Sequence, residues 1–360
     1  SEIAAMGAIV DYLDITQRGK LPLLRPPIKE SQGGTVQIDA ATRRNLELSR
    51  NLSGERGGSL LATVDRTVMG GGARLLTTRL TSPSTDLGTI NARHDAVQHF
   101  VDNRALAEDT RETLRQAPDM ERALSRLALD RGGPRDIAAL RSGLAQAGAL
   151  SASLAGGLPE VLLRASEDMT GHDELVELLD NALIAEPPLL ARDGGFVAAE
   201  FNEELDEARK LRDEGRSVIA AMQAEYATLT GITSIKIKHN NVLGYFVETP
   251  ASHADKMLAE PLSETFIHRQ TTANQVRFTT VPLSEMETKI LNAGGRALEI
   301  EKSVFGVLRA AIMDQAAQIA QAAKALAETD LSAALADIAV GENWVRPQMD
   351  ASRAFVIEGG

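Results

Sequence analysis

The stretch Ser234-Ile-Lys-Ile-Lys-His-Asn-Asn-Val-Leu-Gly-Tyr-Phe-Val-Glu-Thr249 breaks the pattern of everything around it. Ile235 and Ile237 alternate with Lys236 and Lys238, a period of two that suits a strand with one buried face. His239-Asn240-Asn241 can turn, because Asn tolerates left-handed backbone. Val242 to Val247 then returns as a second strand, and a third is expected around Arg277 to Val281. The fold class that follows is mainly α: a helical core with two long helices and a small antiparallel β module inserted between them.

Both flanks carry helical periodicity. Over about 196–230, Phe201, Leu205, Ala208, Leu211, Val218, Met222, Tyr226 and Leu229 fall on one stripe. After the insert, Met286, Ile290, Ala293, Ala297, Ile300, Val304, Val307 and Ala311 alternate steps of four and three. That is a heptad seam, the pattern of a helix packed along another helix. Ser284-Glu285-Met286-Glu287, just after Pro282, supplies a capping box for its start. At ~1.5 Å rise per residue the two helices reach roughly 50 Å and 60–70 Å, more than a compact domain needs.

The rest of the chain is also helical in composition. Aromatic residues make up only 3% of the 360, and Gly/Pro punctuation is confined to a few places. Residues 3–18 read as one helix ended by Gly19, with a linker from Pro22 to Pro27 closed by Gly33-Gly34. From Asp39 to about Leu183, helices break at Pro83, Pro118, Gly132-Gly133-Pro134 and Gly156-Gly157. Pro187-Pro188 and Asp193-Gly194-Gly195 mark a further break. With Ser1 at one end and Gly359-Gly360 at the other, the chain reads as an excised piece.

Composition excludes several functions. There is no cysteine, so disulfides, thiolate catalysis and Cys-based zinc sites are absent. No apolar run approaches the ~20 residues of a membrane span, and without a basic-then-apolar leader a cytoplasmic protein is expected. Nothing matches the Gly-x4-Gly-Lys-Ser/Thr phosphate loop, and Gly70-Gly71-Gly72 is expected to be a helix-terminating loop. His94 and His99 lack the spacing of a helical zinc pair. Glu203-Glu204 and Asp11/Asp14 belong on solvated helix faces. No catalytic constellation emerges, so no enzyme, no metal site and no cofactor are expected in this stretch.

The net charge of −12 argues against a generic nucleic-acid binder. Its distribution changes the argument. Residues 231–282 carry a net +1, the remainder −13, and the same segment holds three of the six histidines. A β-rich insert that simply contains fewer Glu than helices do would look the same. If the segment does meet duplex DNA, Lys236, Lys238, Arg269 and Arg277 supply cationic phosphate contacts. His239, Asn240, Asn241, Gln270 and Asn274 supply further polar ones. The rival reading is a helical coiled-coil scaffold whose β tip binds a protein partner. Such a tip should expose aromatic or aliphatic anchors, whereas Lys, Arg, Asn and Gln predominate here.

An ordered series of motifs resembles the MutS family of DNA mismatch repair proteins along essentially the whole chain. It begins with IDAATRRNLEL (38–48), Leu127-Ala128-Leu129, Pro134-Arg135-Asp136 and Asp193-Gly194-Gly195. Phe201-Asn-Glu-Glu-Leu-Asp, Gly244-Tyr245-Phe246, Arg269-Gln270-Thr271 with Asn274 and Arg277, and Ala354 to Gly360 continue it. The resemblance implies a division into the end of a connector domain with its linker (1–34), the first part of a helical core (35–195) and a lever helix (196–230). A DNA-gripping clamp (231–282), a returning lever with the end of the core (283–345) and the lead-in to an ATPase domain (346–360) would follow. It implies non-specific duplex binding by the clamp, coupled through the levers to an ATP- and magnesium-dependent domain outside this stretch. It also implies a homodimer and a MutL-type repair partner.

Overall fold

The computed structural model describes residues 2–17, 24, 27, 33–154, 156–240 and 242–358. Among these, the chain is mainly α with one small antiparallel sheet. The helices are α1 (Glu2–Thr16), α2 (Ala40–Asn45), α3 (Leu60–Val64), α4 (Gly70–Thr81), α5 (Leu87–Asp102), α6 (Arg104–Gln116), α7 (Met120–Ala128) and α8 (Pro134–Ser153). They continue as α9 (Glu160–Asp168), α10 (Asp173–Ala182), α11 (Glu203–Thr230), α12 (Ala254–Leu258), α13 (Leu262–Thr265), α14 (Val281–Asp314) and α15 (Ala316–Gly341). The strands are β1 (Lys236–Asn240), β2 (Gly244–Pro250), β3 (Ile267–Thr271) and β4 (Gln275–Thr279). Gly19, Pro22, most of the linker after them, and Gly359-Gly360 lie outside the described residues. Two compact units result, residues 1–190 with 306–360, and residues 191–305.

In the first unit α15 is the central element, packed against α4, α5, α6, α7, α8 and α9. Its sequence explains this. Ala322, Ala325, Ala327, Ala333, Ala334 and Ala336 are all buried, and so small a side chain lets neighbouring helices close in on every side. Phe100, Leu114, Met120, Leu127, Ile137 and Leu140 fill the space between helices. Gly70-Gly71-Gly72 does not terminate a helix, as its composition suggests, but opens α4. A Cβ on Gly72 would stand 2.1 Å from Asp330 Oδ2, and one on Gly71 3.3 Å from Ala327 Cβ. The glycines are there so that α4 can approach α15.

Asp330 is fully buried at that junction. Its Oδ1 and Oδ2 accept the backbone N–H groups of Val68 and Met69, each at 3.0 Å, where α4 has no side-chain cap of its own. Burial pushes the carboxyl up to about 6 against these two hydrogen bonds. A folded-state pKa above the ordinary 3.8 means that the protonated form is favoured by folding. The associated stability is present at low pH and is lost as pH rises through 6. Between pH 7 and pH 5 the chain should therefore gain about 1 kcal/mol relative to its Asp330→Asn variant. Parallel denaturant titrations at the two pH values check this, and a constant difference would remove it.

The second unit is built on two antiparallel helices. Glu204 pairs with Arg296, Gly215 packs on Ile290, and the Tyr226 hydroxyl meets Thr280 Oγ1 at 2.6 Å. Asn202 caps α11 by accepting from Leu205 N at 2.8 Å, so the helix starts at Glu203, not near 196. At ~1.5 Å per residue, α11 is roughly 42 Å long and α14 roughly 51 Å. α11 is kinked at Glu214 (φ −112°, ψ 15°). The kink resets its buried face to Gly215, Ile219, Tyr226 and Thr230, and it leaves Leu229 exposed. On α14 the seam holds from Ala293 to Val304. Buried residues then recur every four, Val304, Leu308 and Ile312, so Val307 faces solvent. α14 is capped by Thr280 Oγ1, which accepts from Leu283 N at 3.1 Å. The expected capping box at Ser284 is instead interior helix.

The sheet has the order β1-β2-β4-β3, every pair antiparallel. One face covers a core of Ile235, Val247, Val276 and Phe278 with Ile219, Tyr226, Met257, Phe266 and Leu283. The sequence suggests three strands, with the third over 277–281. The structure has four, because Ile267–Thr271 also pairs, and the last strand ends at Thr279 where the cap of α14 takes over.

Candidate nucleic-acid interface

Register fixes which side chains share the sheet's outer face. Lys236 stands opposite Glu248, Glu248 opposite Arg277, and Arg277 opposite Gln270, a row across all four strands. Lys238 lies two residues along β1, opposite Phe246. Four of the nine expected contact residues therefore come together on one surface.

They are not equally free. Glu248, only 4% exposed, joins Lys238 Nζ at 2.5 Å and Arg277 Nε at 3.1 Å. Burial alone would raise its carboxyl, but the hydrogen bonds and charges of Lys238 and Arg277 outweigh this and hold it below its ordinary range. It is an anion at neutral pH. Arg277 further donates from Nη1 to Gln270 Oε1 at 2.9 Å, and its guanidinium carbon lies 4.7 Å from the centroid of the Phe246 ring. Arg277 is thus half-buried and committed. Lys236 is exposed on the same face and has no ion pair among the described residues.

Arg269 occupies a β-bulge between His268 and Gln270 in the register of β3 with β4. The extra residue interrupts the ladder, and Arg269 too is exposed without an ion pair among the described residues. Asn274 is exposed in the β3–β4 turn, where its carbonyl accepts from Ala251 N at 3.0 Å. His239 faces the opposite way to Lys238 and packs edge-on against Tyr245, ring centroids 4.9 Å apart.

Asn240 spends its Oδ1 on the turn, accepting from Val242 N at 2.9 Å and Leu243 N at 2.7 Å. Asn241 lies outside the described residues. Gly244 follows at φ +67°, and a Cβ there would be 2.1 Å from Glu287 Oε1, which accepts from Tyr245 N at 3.1 Å. Glu287 from α14 thereby anchors the hairpin.

Two functional side chains escaped the sequence reading. Glu248 counts there only as one acid in the segment's charge balance. Its placement between two cations depends on cross-strand register, which a single chain's pattern does not specify. Glu287 reads as part of a capping box, and only the fold brings it to the hairpin. Among the described residues no group of His, Asp and Glu is placed to hold a metal ion, and no helix is long and apolar enough to cross a membrane.

Comparison with known proteins gives a consistent result. A family profile described as MutS domain III matches residues 41–336. The chain is 64% identical over 360 residues to the DNA mismatch repair protein MutS of Paracoccus denitrificans. It is also 64% identical to the proteins of that name from Cereibacter sphaeroides, over 359 residues, and Ruegeria pomeroyi, over 361. Each match covers the whole of this chain and 41% of the relative's own length.

Proposed function

Because this chain belongs to the MutS family of DNA mismatch repair proteins, we propose that its β module grips duplex DNA through the phosphate backbone and that α11 and α14 act as levers. The observation that carries the reading is the outer face of the sheet. Lys236 stands on that face and Arg269 at the bulge of the edge strand β3, both exposed and without an ion pair among the described residues, on a module that has shed the acidity of the rest of the chain. Phosphate contacts of this kind position a duplex without reading its sequence, which suits a protein that scans. Arg277 and Lys238 have a different part. Held by Glu248, they shape the face and contribute a partly neutralised charge. ATP hydrolysis, with magnesium, falls in this reading to a part of the protein outside the chain, as do homodimerisation and a MutL-type partner. In a cytoplasmic protein the levers would carry the state of the clamp toward that part.

The chain alone should bind duplex DNA weakly, at or beyond the ~10⁻⁴ M end of non-specific affinities, since most of it is acidic. The Lys236→Ala/Arg269→Ala double variant should lower the slope of log K against log salt by about two, with an unchanged melt. Arg115→Ala/Arg164→Ala, exposed on α6 and α9, should change neither. Equal losses from both pairs would locate the DNA surface elsewhere. Val242, 90% exposed in the β1–β2 turn, is the observation that favours a protein-binding tip. Salt-independent binding to DNA with loss of a partner in Val242→Asp would favour that second reading.

A further inference from the structure

A cavity of about 300 Å³ opens in the first unit between α4, α5, α15 and the segment after α15. It lies within residues 79–97 and 332–349 and shares no residue with the sheet. Ile90, Leu335 and Met349 form part of an apolar wall, and Arg79, Arg93 and His94 bring nitrogen to it.

The charges do not balance. Arg79 is held by the Glu328 carboxylate, Nη1 to Oε1 at 2.8 Å with a second bond from Nη2 to Oε2. Arg93 is half-buried beside this pair and has no carboxylate of its own among the described residues. Arg79 Nε and His94 Nδ1 are buried atoms without a hydrogen-bond partner among the described residues. Burial and the neighbouring Arg79 cation disfavour the charged form of Arg93, with the Glu328 carboxylate offsetting only part of this; burial and the Arg346 cation do the same for His94 against the smaller effect of Asp95. Buried polar atoms are normally satisfied, and a partly desolvated cation without an anion is costly. Two such atoms and the half-buried Arg93 guanidinium thus face one apolar cavity, a donor-rich end on an apolar wall.

We propose that this cavity binds a small amphipathic anion, a carboxylate on a short apolar stem, with the carboxylate against Arg93 and the stem along Ile90 and Leu335. A planar guanidinium matches a carboxylate in a two-point pairing, and the volume suits a stem of a few carbons. Glu328 leaves Arg93 as the open position, because Arg79 is already spoken for.

Three probes separate charge from stem. Millimolar hexanoate should raise the melting temperature of the chain by several degrees, inorganic phosphate by less, and uncharged hexanamide not at all. Arg93→Met should abolish the hexanoate shift, and it should raise the melting temperature of the ligand-free chain because it removes a half-buried cation whose nearby carboxylate, Glu328, is already paired with Arg79. Arg93→Lys, which keeps the charge, should retain part of the shift. Equal shifts from hexanoate and hexanamide, or no shift from hexanoate, would overturn the proposal even if Arg93→Met folded poorly. So would an undiminished hexanoate shift in Arg93→Met.

Discussion

Gly133→Ala should cost about 3 kcal/mol or more and lower the melting temperature by roughly 6–12 °C. A Cβ at this position would lie 1.9 Å from the carbonyl oxygen of Leu189, a backbone atom that cannot rotate away. The backbone angle is not the obstacle, since φ is −130°, which alanine adopts freely. Relief requires either residues 189–190 or the start of α8 to move. The second route breaks the bond from Gly133 N to Asp136 Oδ2 at 3.0 Å, and Asp136 in turn holds Arg126. Gly148→Ala, on the same helix with nothing within 4 Å of the added atom, is the control. It should stabilise by about 0.5–1 kcal/mol, the ordinary gain of removing a mid-helix glycine. Calorimetry on the two variants decides the matter, and equal melting temperatures would refute the steric argument.

Glu301→Ala should destabilise the second unit by about 3 kcal/mol. Glu301 is 2% exposed, its Oε2 accepts from Gly195 N at 2.6 Å, and its Oε1 pairs with Arg209. Arg209 also donates to the Val197 carbonyl at 2.9 Å. One carboxylate thus ties α14 to α11 and to the Asp193-Gly194-Gly195 turn, whose glycines sit at φ +67° and +74°. Removing it leaves a largely buried guanidinium with only the looser Asp206 contact at 3.8 Å and the Val197 carbonyl, and losing one partner is the expensive way to break a buried pair. Glu301→Gln keeps an acceptor for Gly195 and should lose roughly half as much, consistent with the weaker neutral hydrogen bond. Amide exchange at residues 193–198 in the two variants reads the effect locally. Protection unchanged in Glu301→Ala would show that the turn is held by something else.

How far the sequence carries depends on whether a feature is local. The switch from a period of seven to a period of two marked the insert, and Ile235, Val247 and Phe278 do lie in its core. Asn202 and the acids behind it form a start signal for α11, so the helix begins at Glu203 and not near 196, and Phe196 and Val197 are buried ahead of it. β3 stayed hidden for a physical reason. All five of its residues are exposed, so Ile267–Thr271 has no buried alternation to announce it. The glycines at 215 and in the run opening α4 answer to partners far away in sequence, Ile290 and Asp330.

For the expected contact residues, residue type does not say which side chains pair with one another. Lys236, Lys238, Gln270 and Arg277 share a face through register. Yet Arg277 and Lys238 are tied to Glu248, while Lys236 and Arg269 stand free of ion pairs among the described residues. Charge is additive along a sequence; pairing is decided across strands.

The hydrogen bond between Tyr226 and Thr280 joins the point where the chain leaves one long helix to the point where it enters the next. More than fifty residues are inserted between two positions that already touch. Closing a chain whose ends are held together costs little extra per added residue, because the entropy grows only with the logarithm of length. Chain closure therefore sets little limit on how long the insert can be. Packing sets the limit instead: Ile219, Tyr226 and Leu283 at the helix ends share a core with the sheet, and Glu287 anchors its first hairpin. In gene-level terms, material can be gained or exchanged at this position provided that the newcomer covers the same apolar helix ends.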